Sequence, residues 1–258
     1  MGVVNVTPDS FSDGGRFFDA KAAISHAHKL VADGADLIDI GGESSRPGAL
    51  PVSAEEEMQR IIPVLEELKG LQKPISVDTR RPEVMREAIK AGASMINDID
   101  ALTAPGALEA VAASKCAVCL MHKKGDPATM QQAPHYDDVV GEVMLFLRNR
   151  IEKAEKSGIS RERIVVDPGF GFGKTLEHNL TLLKRFAVFS SLKTPILAGW
   201  SRKSSLGGLT GREAGERLPA SLAMALLSLQ GGATILRVHD VRETRDVVAV
   251  WQAYKNVP

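Results

Sequence analysis

The sequence has little of what marks secreted, nucleic-acid-binding or membrane-surface proteins. Only two cysteines occur among 258 residues, too few for a disulfide framework, and this number fits a reducing compartment. Lysine plus arginine and aspartate plus glutamate each total 32, so the formal net charge is +0 at pH 7. Without an excess of either sign, the composition does not favour nucleic acid or an anionic membrane surface as a partner.

Long hydrophobic runs are also missing from the sequence. None approaches the roughly 18 residues of a membrane-spanning helix, and no basic segment followed by an apolar one opens the chain. The first predicted strand begins almost at Met1, which leaves no room for a targeting segment. We therefore expect a cytoplasmic globular protein whose residues 1–258 form a single domain.

Short apolar runs alternate with longer amphipathic stretches along the whole chain. Eight runs predict strands: Val3–Thr7, Leu37–Gly41, Pro74–Thr79, Met95–Ile99, Ala117–His122, Ile164–Asp167, Pro195–Gly199 and Ile235–Asp240. The stretches between and after them predict helices: Ala20–Asp33, Ala54–Leu68, Pro82–Ala91, Gly106–Ala113, Val139–Ser157, Leu176–Phe189, Gly215–Leu229 and Val241–Ala253.

Eight strand–helix units are the number that closes a (β/α)₈ barrel. The alternative, a doubly wound open sheet, would need a dinucleotide-binding fingerprint in the first turn, and Val3–Ser10 contains none. The sequence therefore predicts an α/β fold, a single (β/α)₈ TIM barrel with its active site at the C-terminal ends of the strands.

Acids and an amide end several of the predicted strands. Asp78, Asn97 and Asp167 each close a different apolar run, and in a barrel these ends converge on one mouth. Two carboxylates and a carboxamide form an acceptor-rich edge that suits a heterocycle with ring N–H and amino groups. The alternative is that such acids cap the helices that follow, as we expect for Asp9 and Asp98.

Basic side chains follow the last two strands. Arg237 and His239 share one face of the last strand because side chains alternate with period two. Lys203 follows the seventh strand, and Ser204 is predicted to begin a helix. Cations and helix N-termini on one rim favour an anion such as phosphate or carboxylate, with solvated surface charge as the alternative.

The segment Asp167–Lys174 contains three glycines, but it matches no common phosphate-binding loop. A Walker A motif would need glycine at Pro168, and a G-x-G-x-x-G motif would need glycine at Lys174.

Cys116 and Cys119 lie three apart in a strand, so their thiols point to opposite faces and cannot pair. His122 is predicted to face the mouth, either as a site residue or as a packed residue of the rim.

Seven motifs together resemble the dihydropteroate synthase family of folate biosynthesis, a target of sulfonamides. They run in family order from the first residue to the last strand–helix unit: Met1–Gly15, Gly41–Gly48, Ser76–Thr79, Asn97–Asp98, Asp167–Lys174, Ser201–Ser204 and Arg237–Asp240. The resemblance implies a (β/α)₈ barrel, usually a homodimer. It also implies a transferase that joins 7,8-dihydropterin-6-ylmethyl diphosphate to 4-aminobenzoate and releases diphosphate.

The resemblance also assigns roles to residues of this sequence. The pterin would be held by Asp78, Asn97, Asp167 and Lys203, of which Asp78, Asp167 and Lys203 would serve catalysis. The diphosphate would be held by Asn5, Arg237 and His239, with Mg²⁺ attached through Asn5. Ser45 and Arg46 would contribute from the second loop. The 4-aminobenzoate would be framed by Phe11, Pro47, Phe172, Lys203 and the backbone of Ser204.

Two positions depart from the usual family pattern. Ser45 stands where threonine is common, which keeps the hydroxyl group and removes a methyl group. Lys123 stands where methionine is more usual, and the sequence offers no reason for it.

Two other functions remain open at this point. A pterin-binding methyltransferase barrel would share the acidic pocket, but it has no need for Ser201–Ser204 together with Arg237–Asp240, because nothing leaves as diphosphate. A catalytically silent pterin-binding protein would be indicated by loss of Asn5, Asp78 or Lys203, and all three are present.

Overall fold

The computed structural model describes residues 1–6, 15–44, 52–126 and 129–257, with backbone only for 15–19. Its strands are β1 (Gly2–Asn5), β2 (Ile38–Gly41), β3 (Ile75–Asp78), β4 (Met95–Asp98), β5 (Ala117–Met121), β6 (Ile164–Asp167), β7 (Leu197–Ala198) and β8 (Ile235–Leu236). Its helices are α1 (Gly15–Ala32), α2 (Ala54–Glu67), α3 (Pro82–Lys90), α4 (Ala107–Ala112), α5 (Val139–Lys156), α6 (Leu176–Lys184), α7 (Ser204–Thr210), α8 (Leu218–Gln230) and α9 (Val241–Lys255).

The strands close into the predicted barrel. Strands β1 to β6 form one parallel sheet in sequence order, and β7 pairs with β8. Two parallel bridges join these parts, Val166 with Ile196 and Gly2 with Val238. The Val238 amide donates to the Met1 carbonyl at 2.9 Å and the Val3 amide donates to the Val238 carbonyl at 3.1 Å, so β8 returns to β1. The sheet therefore has no free edge, and the (β/α)₈ prediction is confirmed.

Alternation along the strands divides the apolar residues into two clusters. The larger cluster lies between the strands and the helices and includes Ile38, Ile40 and Ile96. The smaller cluster fills the barrel interior with Met95, Cys119, Val165 and Leu197. The two cysteines confirm the prediction that they do not pair, since Cys116 belongs to the larger cluster, Cys119 to the smaller, and both are free.

Several helices begin immediately after the turns that follow the strands, because their first residues are good caps. Thr175 Oγ1 accepts from the His178 amide at 3.1 Å while the Thr175 amide donates to His178 Nδ1 at 3.2 Å, a reciprocal cap at the start of α6. Pro82 occupies the first turn of α3, where a missing N–H costs nothing. These features fix where α3 and α6 begin at the C-terminal end of the barrel.

The last quarter of the chain differs from the prediction in two ways. The helix predicted over Gly215–Leu229 is replaced by a 3₁₀ turn, Ala214–Glu216, followed by α8, and an additional short helix, α7, begins at Ser204. Strands β7 and β8 are two residues each, shorter than predicted, because beyond them the backbone pairs through single bridges.

Within the described parts of the chain, none of the helices combines the length and apolar character needed to cross a bilayer.

Candidate active site

Polar residues of neighbouring strands reach the same level of the barrel. Asn5 is in register with Gly41, Gly41 with Asp78, and Asp78 with Asn97. Asp167 ends β6 on the same side, paired with Met121 of β5. The structure thus brings Asp78, Asn97 and Asp167 to one end of the barrel, as predicted from the strand ends.

One guanidinium group ties the last strand to the second and third. Arg237 donates through Nε to Asp39 Oδ2 at 2.7 Å and through Nη2 to Asp78 Oδ2 at 2.9 Å. Asn97 Nδ2 donates to the same Asp39 oxygen at 3.2 Å. Four strands therefore contribute to a single buried network, because their inward side chains lie within one hydrogen-bond length of each other.

Asp39 is the member of this network that the sequence analysis missed. It is 0% exposed, and among the described residues its Oδ1 atom has no hydrogen-bond partner. Its signal in the sequence is an acid in the middle of an apolar strand, Leu37–Gly41, at an inward position of the barrel. A buried carboxylate is stable only when it is paired, so the acid required a basic partner elsewhere in the chain.

The network controls the ionisation of Asp78. Burial raises the pKa of Asp78 to about 7, Arg237 opposes this rise, and the negative charge of Asp39 adds to it. Burial lowers the pKa of Arg237, but Asp39 and Asp78 outweigh it and raise the pKa above its usual value. The site therefore contains a permanent cation beside a carboxyl group poised near neutral pH.

A second acid–base pair lies across the mouth. Burial lowers the pKa of Lys203 to about 8, an effect that Asp167 opposes and Arg237 strengthens. Burial raises the pKa of Asp167, and Lys203 opposes that rise. Lys203 Nζ donates to the Phe170 carbonyl and lies 4.5 Å from the centre of the Phe172 ring, so the predicted residues Asp167, Phe172 and Lys203 lie together.

The end of β8 is tied to the end of β7. The Ser201 hydroxyl oxygen accepts from the His239 amide at 3.1 Å and lies 2.9 Å from His239 Nδ1. Arg202 pairs with Asp240 through both carboxylate oxygens. His239 therefore has a set orientation, while Arg237, its predicted partner for an anion, uses two of its donors on carboxylates.

Lys203 and Ser204 mark the start of α7, a helix absent from the predicted helical stretches although Ser204 was expected to begin one. Lys203 precedes α7 with an extended backbone, φ −62° and ψ 151°, and Ser204 is its first residue. The prediction that Ser204 begins a helix is confirmed.

A cluster of ion pairs joins the two ends of the second loop. Arg81 donates to Glu43 Oε1 and Oε2 at 2.9 Å each, to Glu57 Oε2 and to the Val52 carbonyl. Glu57 is 0% exposed. Glu43 and Val52 lie on either side of residues 45–51, which are outside the described residues, so Arg81 fixes the separation of these two described positions.

Four of the predicted site residues, Phe11, Ser45, Arg46 and Pro47, lie outside the described residues. Their predicted roles toward 4-aminobenzoate and the second loop stay predictions.

His122 does not face the mouth, which corrects the prediction of its position; it is a packed residue. Its ring lies edge-on to Phe146 of α5, with centroids 5.0 Å apart, and it is 5% exposed. It follows Met121 in the strand, so alternation directs it outward toward the helices. Asp98 also proves structural, since its carboxylate accepts from the Asp100 and Leu102 amides at 2.7 Å each.

The structure accounts for Lys123. Its ammonium nitrogen lies 2.6 Å from Asp100 Oδ1, and both side chains are largely buried. The lysine therefore pairs with an acid of the preceding strand–helix turn, which explains a charged residue at this position.

Among the described residues, no group of three or more histidine, cysteine, aspartate or glutamate side chains could hold a metal ion. The donor suited to Mg²⁺ here is the carboxamide oxygen of Asn5, half-buried at the end of β1. Mg²⁺ prefers oxygen ligands and commonly binds through one or two protein groups plus substrate phosphates, so the chemistry of this donor fits.

Comparisons with known proteins agree with this geometry. Residues 1–239 match the family of pterin binding enzymes. The dihydropteroate synthase of Escherichia coli (strain K12) is 52% identical over 254 residues, 98% of this chain and 90% of that protein.

Solved structures with the same fold include two further members. The Xanthomonas albilineans dihydropteroate synthase with 4-aminobenzoic acid has 54% identity and a TM-score of 0.94, covering 100% of this chain and 93% of that one. The Yersinia pestis dihydropteroate synthase in a sulfonamide complex has 44% identity and a TM-score of 0.94, covering 99% and 94%. The buried Asp39–Arg237–Asp78 network and the Asp167–Lys203 pair thus stand in a barrel that belongs to the dihydropteroate synthases of the pterin-binding enzyme family.

Proposed function

We propose a division of labour among the residues of this site for the dihydropteroate synthase reaction, the joining of 7,8-dihydropterin-6-ylmethyl diphosphate to 4-aminobenzoate. The observation that carries the proposal is the row of Asp78, Asn97 and Asp167 at one end of the barrel beside Lys203. Carboxylates, a carboxamide and one ammonium match a heterocycle that presents several N–H groups and one carbonyl oxygen.

The pterin ring lies against Asp78, Asn97, Asp167 and Lys203. With its ring buried there, the reacting CH₂ group points out of the barrel toward the rim. The C–O bond to diphosphate breaks first, and the electron pair leaves with the diphosphate. The resulting pterin cation is stabilised electrostatically by the carboxylate of Asp78, and the amine of 4-aminobenzoate then attacks the CH₂ carbon and loses a proton.

The diphosphate lies at the rim formed by Asn5, His239 and the outward side of Arg237. His239 is oriented for this by Ser201. Asn5 would hold Mg²⁺, which would supply positive charge that stabilises the leaving diphosphate. Arg237, paired to Asp39 and Asp78, keeps its charge at every working pH and lies between the pterin and the anion.

The 4-aminobenzoate enters beside Phe172 and Lys203, with the Ser204 backbone at the start of α7. By the family resemblance, Phe11 and Pro47 would frame the 4-aminobenzoate and Ser45 and Arg46 would contribute from the second loop; all four lie outside the described residues. Exclusion of water by the first two loops protects the cation from capture.

We also propose that residues 1–258 act as one cytoplasmic domain and that the protein is a homodimer. Helix α8 supports the dimer. It has no charged residue from Leu218 to Gln230, and its Leu227 is 46% exposed to solvent. An uncharged outer face on a helix is typical of a subunit interface.

Sedimentation of the wild type should give twice the chain mass, and Leu227→Glu should give a monomer. A monomeric wild type would contradict the proposal.

The reaction is tested by incubating the protein with pterin diphosphate, 4-aminobenzoate and Mg²⁺ and following diphosphate release together with dihydropteroate. Both products should form in equal amounts and only when all components are present. Tight binding of the pterin without release of diphosphate would instead indicate a silent binding protein.

A further inference from the structure

Every backbone carbonyl in the glycine-rich turn after β6 accepts a hydrogen bond from a side chain. The turn, residues 169–173, has no regular structure of its own, so its polar groups need partners from elsewhere. The donors are Lys174 to the carbonyls of Gly169 and Phe172, Lys203 to Phe170, Gln131 to Gly171 and Tyr136 to Gly173.

Lys174 makes two of these bonds from inside the protein. It is 3% exposed, and its ammonium nitrogen lies 2.8 Å from the Gly169 carbonyl oxygen and 3.1 Å from that of Phe172. It also lies 3.0 Å from Nδ1 of His122 and 3.4 Å from the His122 carbonyl oxygen. Four acceptor atoms thus surround a group that, as an ammonium, has three N–H donors and no acceptor.

The partner histidine is neutral. Burial and the neighbouring Lys174 lower the pKa of His122 to about 2, so the imidazole carries one proton at any working pH. If Nδ1 accepts from Lys174, that proton is on Nε2. Burial also lowers the pKa of Lys174 well below its usual value. A neutral amine, however, would point its lone pair at one of these acceptors, so the surrounding acceptors favour the ammonium form.

The turn lies directly on the backbone that follows β5. Gly169 has φ +70°, and a Cβ atom there would come within 1.9 Å of the His122 carbonyl oxygen. Gly173 has φ +63°, and a Cβ atom there would come within 2.0 Å of the Lys124 carbonyl oxygen. Only glycine allows the turn to lie this close to the backbone of residues 122–124. This close packing places His122 within reach of the Lys174 ammonium.

The opposite side of the turn forms part of the substrate site. Lys203 donates to the Phe170 carbonyl and lies over the Phe172 ring. Gly171 packs on the same lysine, since a Cβ atom there would be 3.1 Å from Lys203 Cδ. The positions of Lys203 and Phe172 therefore depend on the position of the turn. Lys174 stabilises the turn from the side opposite the substrate site.

We infer that Lys174 is a positioning residue for the 4-aminobenzoate side of the site. Its buried ammonium fastens residues 169–173 to His122, so that Phe172 and Lys203 present a preformed surface to 4-aminobenzoate. The inference rests on the proposed function, which gives Phe172 and Lys203 their substrate roles. Lys174 ends the glycine-rich segment Asp167–Lys174, and the proposed reaction assigns it no role.

Lys174→Met tests the inference, because methionine fills a similar buried volume and removes the N–H donors. We expect the KM for 4-aminobenzoate to rise about tenfold or more and the KM for pterin diphosphate to rise by a smaller factor, because Asp78 and Asn97 hold the pterin from other strands while Lys203 contacts both substrates. The matched control is Lys90→Met, in which an exposed lysine paired only with Glu87 is removed and both constants stay at their wild-type values.

Unchanged kinetic constants in folded Lys174→Met, or an equal rise in both KM values, would overturn the inference. A lower melting temperature by itself would not support it, because a purely structural lysine would give the same result. An inactive wild type would instead refute the proposed function, so the two failures are distinguishable.

Two further measurements apply if Lys174→Met does not fold. His122→Leu removes one acceptor of the ammonium and should raise the KM for 4-aminobenzoate in the same selective way, by a smaller factor. In the wild type, ¹⁵N chemical shifts of His122 should show Nε2 protonated and Nδ1 unprotonated between pH 5 and 8. A proton on Nδ1 would mean that Lys174 is not the donor and would overturn the inference.

Discussion

Asp39 joins two other strands to β2 through one carboxylate oxygen, which accepts from both Arg237 and Asn97. A carboxylate has only acceptor atoms, so it directs the amide nitrogen of Asn97 and the Nε–H of Arg237 toward itself. The orientation of Asn97, a proposed pterin ligand, and of Arg237, placed beside the diphosphate, therefore depends on a residue that lies below them in the barrel.

Asp39→Asn should weaken pterin binding about tenfold and lower the free energy of unfolding by roughly 3 kcal/mol, because it leaves the buried charge of Arg237 with one partner fewer. Calorimetric titration with a pterin and urea unfolding measure the two effects. Ser76→Ala is the matched control, since Ser76 is the register partner of Asp39 on β3 and is equally buried. Wild-type pterin affinity in folded Asp39→Asn would contradict this role.

Asp78→Asn should keep the fold and lose turnover by about 10²- to 10³-fold, the size expected when a group that stabilises developing charge is neutralised. Steady-state diphosphate release and the circular dichroism spectrum together check this. Asp36→Asn, which changes an exposed acid paired with Arg245, should leave turnover unchanged. Near-normal turnover in Asp78→Asn would remove the assignment of Asp78 to the cation.

The turn between β4 and α4 is an element held in a strained conformation. Ala101 and Leu102 have φ values of 51° and 57°, a left-handed region that costs non-glycine residues about 1 kcal/mol or more each. Arg150 of α5 donates to both of their carbonyl oxygens at 2.7 Å. The buried Arg150 and the Asp98 carboxylate together stabilise the conformation of this turn, which follows Asn97 in the chain.

Arg150→Met should lower the free energy of unfolding by about 3 kcal/mol, because it leaves two buried carbonyl groups without donors. Amide hydrogen exchange at residues 100–102 should accelerate more than exchange in the strands. Arg148→Met, on the exposed side of the same helix, provides the comparison and should change neither quantity. Equal stability of the two variants would show that the turn does not depend on Arg150.

The elements that the sequence predicted well are those whose own residues determine them. The strands from β1 to β6 are continuous apolar runs, and helices such as α3 and α5 have clear amphipathic patterns and first-turn or cap residues. The predicted helical stretches did not include α7, although Ser204 was expected to begin a helix, because its sequence, SSLGGLT, contains two glycines and weak helix formers. Its position after β7 and its packing on α8 decide that it is a helix.

Two buried carboxyl groups favour folding on the acidic side of neutrality, while the buried neutral His122, whose pKa is lowered to about 2, acts in the opposite direction. Burial raises the pKa values of Asp78 and Asp98 to about 7, above their values in the unfolded chain. The folded state therefore binds more protons than the unfolded state between about pH 4 and 7. This contribution is present at the low end of that window and is lost as the pH rises through 7.

Urea unfolding at pH 5 and pH 7.5 should show a decrease in the free energy of unfolding on the order of 3 kcal/mol at the higher pH, since one pKa unit corresponds to about 1.4 kcal/mol. Asp98→Asn should reduce this difference by roughly half, because one of the two groups no longer titrates. A pH dependence of the same size in Asp98→Asn and in the wild type would contradict the raised pKa of Asp98.

The sequence by itself determined the barrel, the family and the end of the barrel where the chemistry lies. Apolar runs, helical periods and strand-end residues such as Asp78, Asn97 and Asp167 are local properties, and each can be read without knowing what it contacts. Only the tertiary structure decided which polar groups meet. It joined Asp39 to Arg237, 198 residues away, turned His122 outward from the mouth, and buried Lys174 behind the turn that holds Phe172. These outcomes depend on long-range register and on the need of buried charges and backbone groups for partners, which no single stretch of sequence specifies.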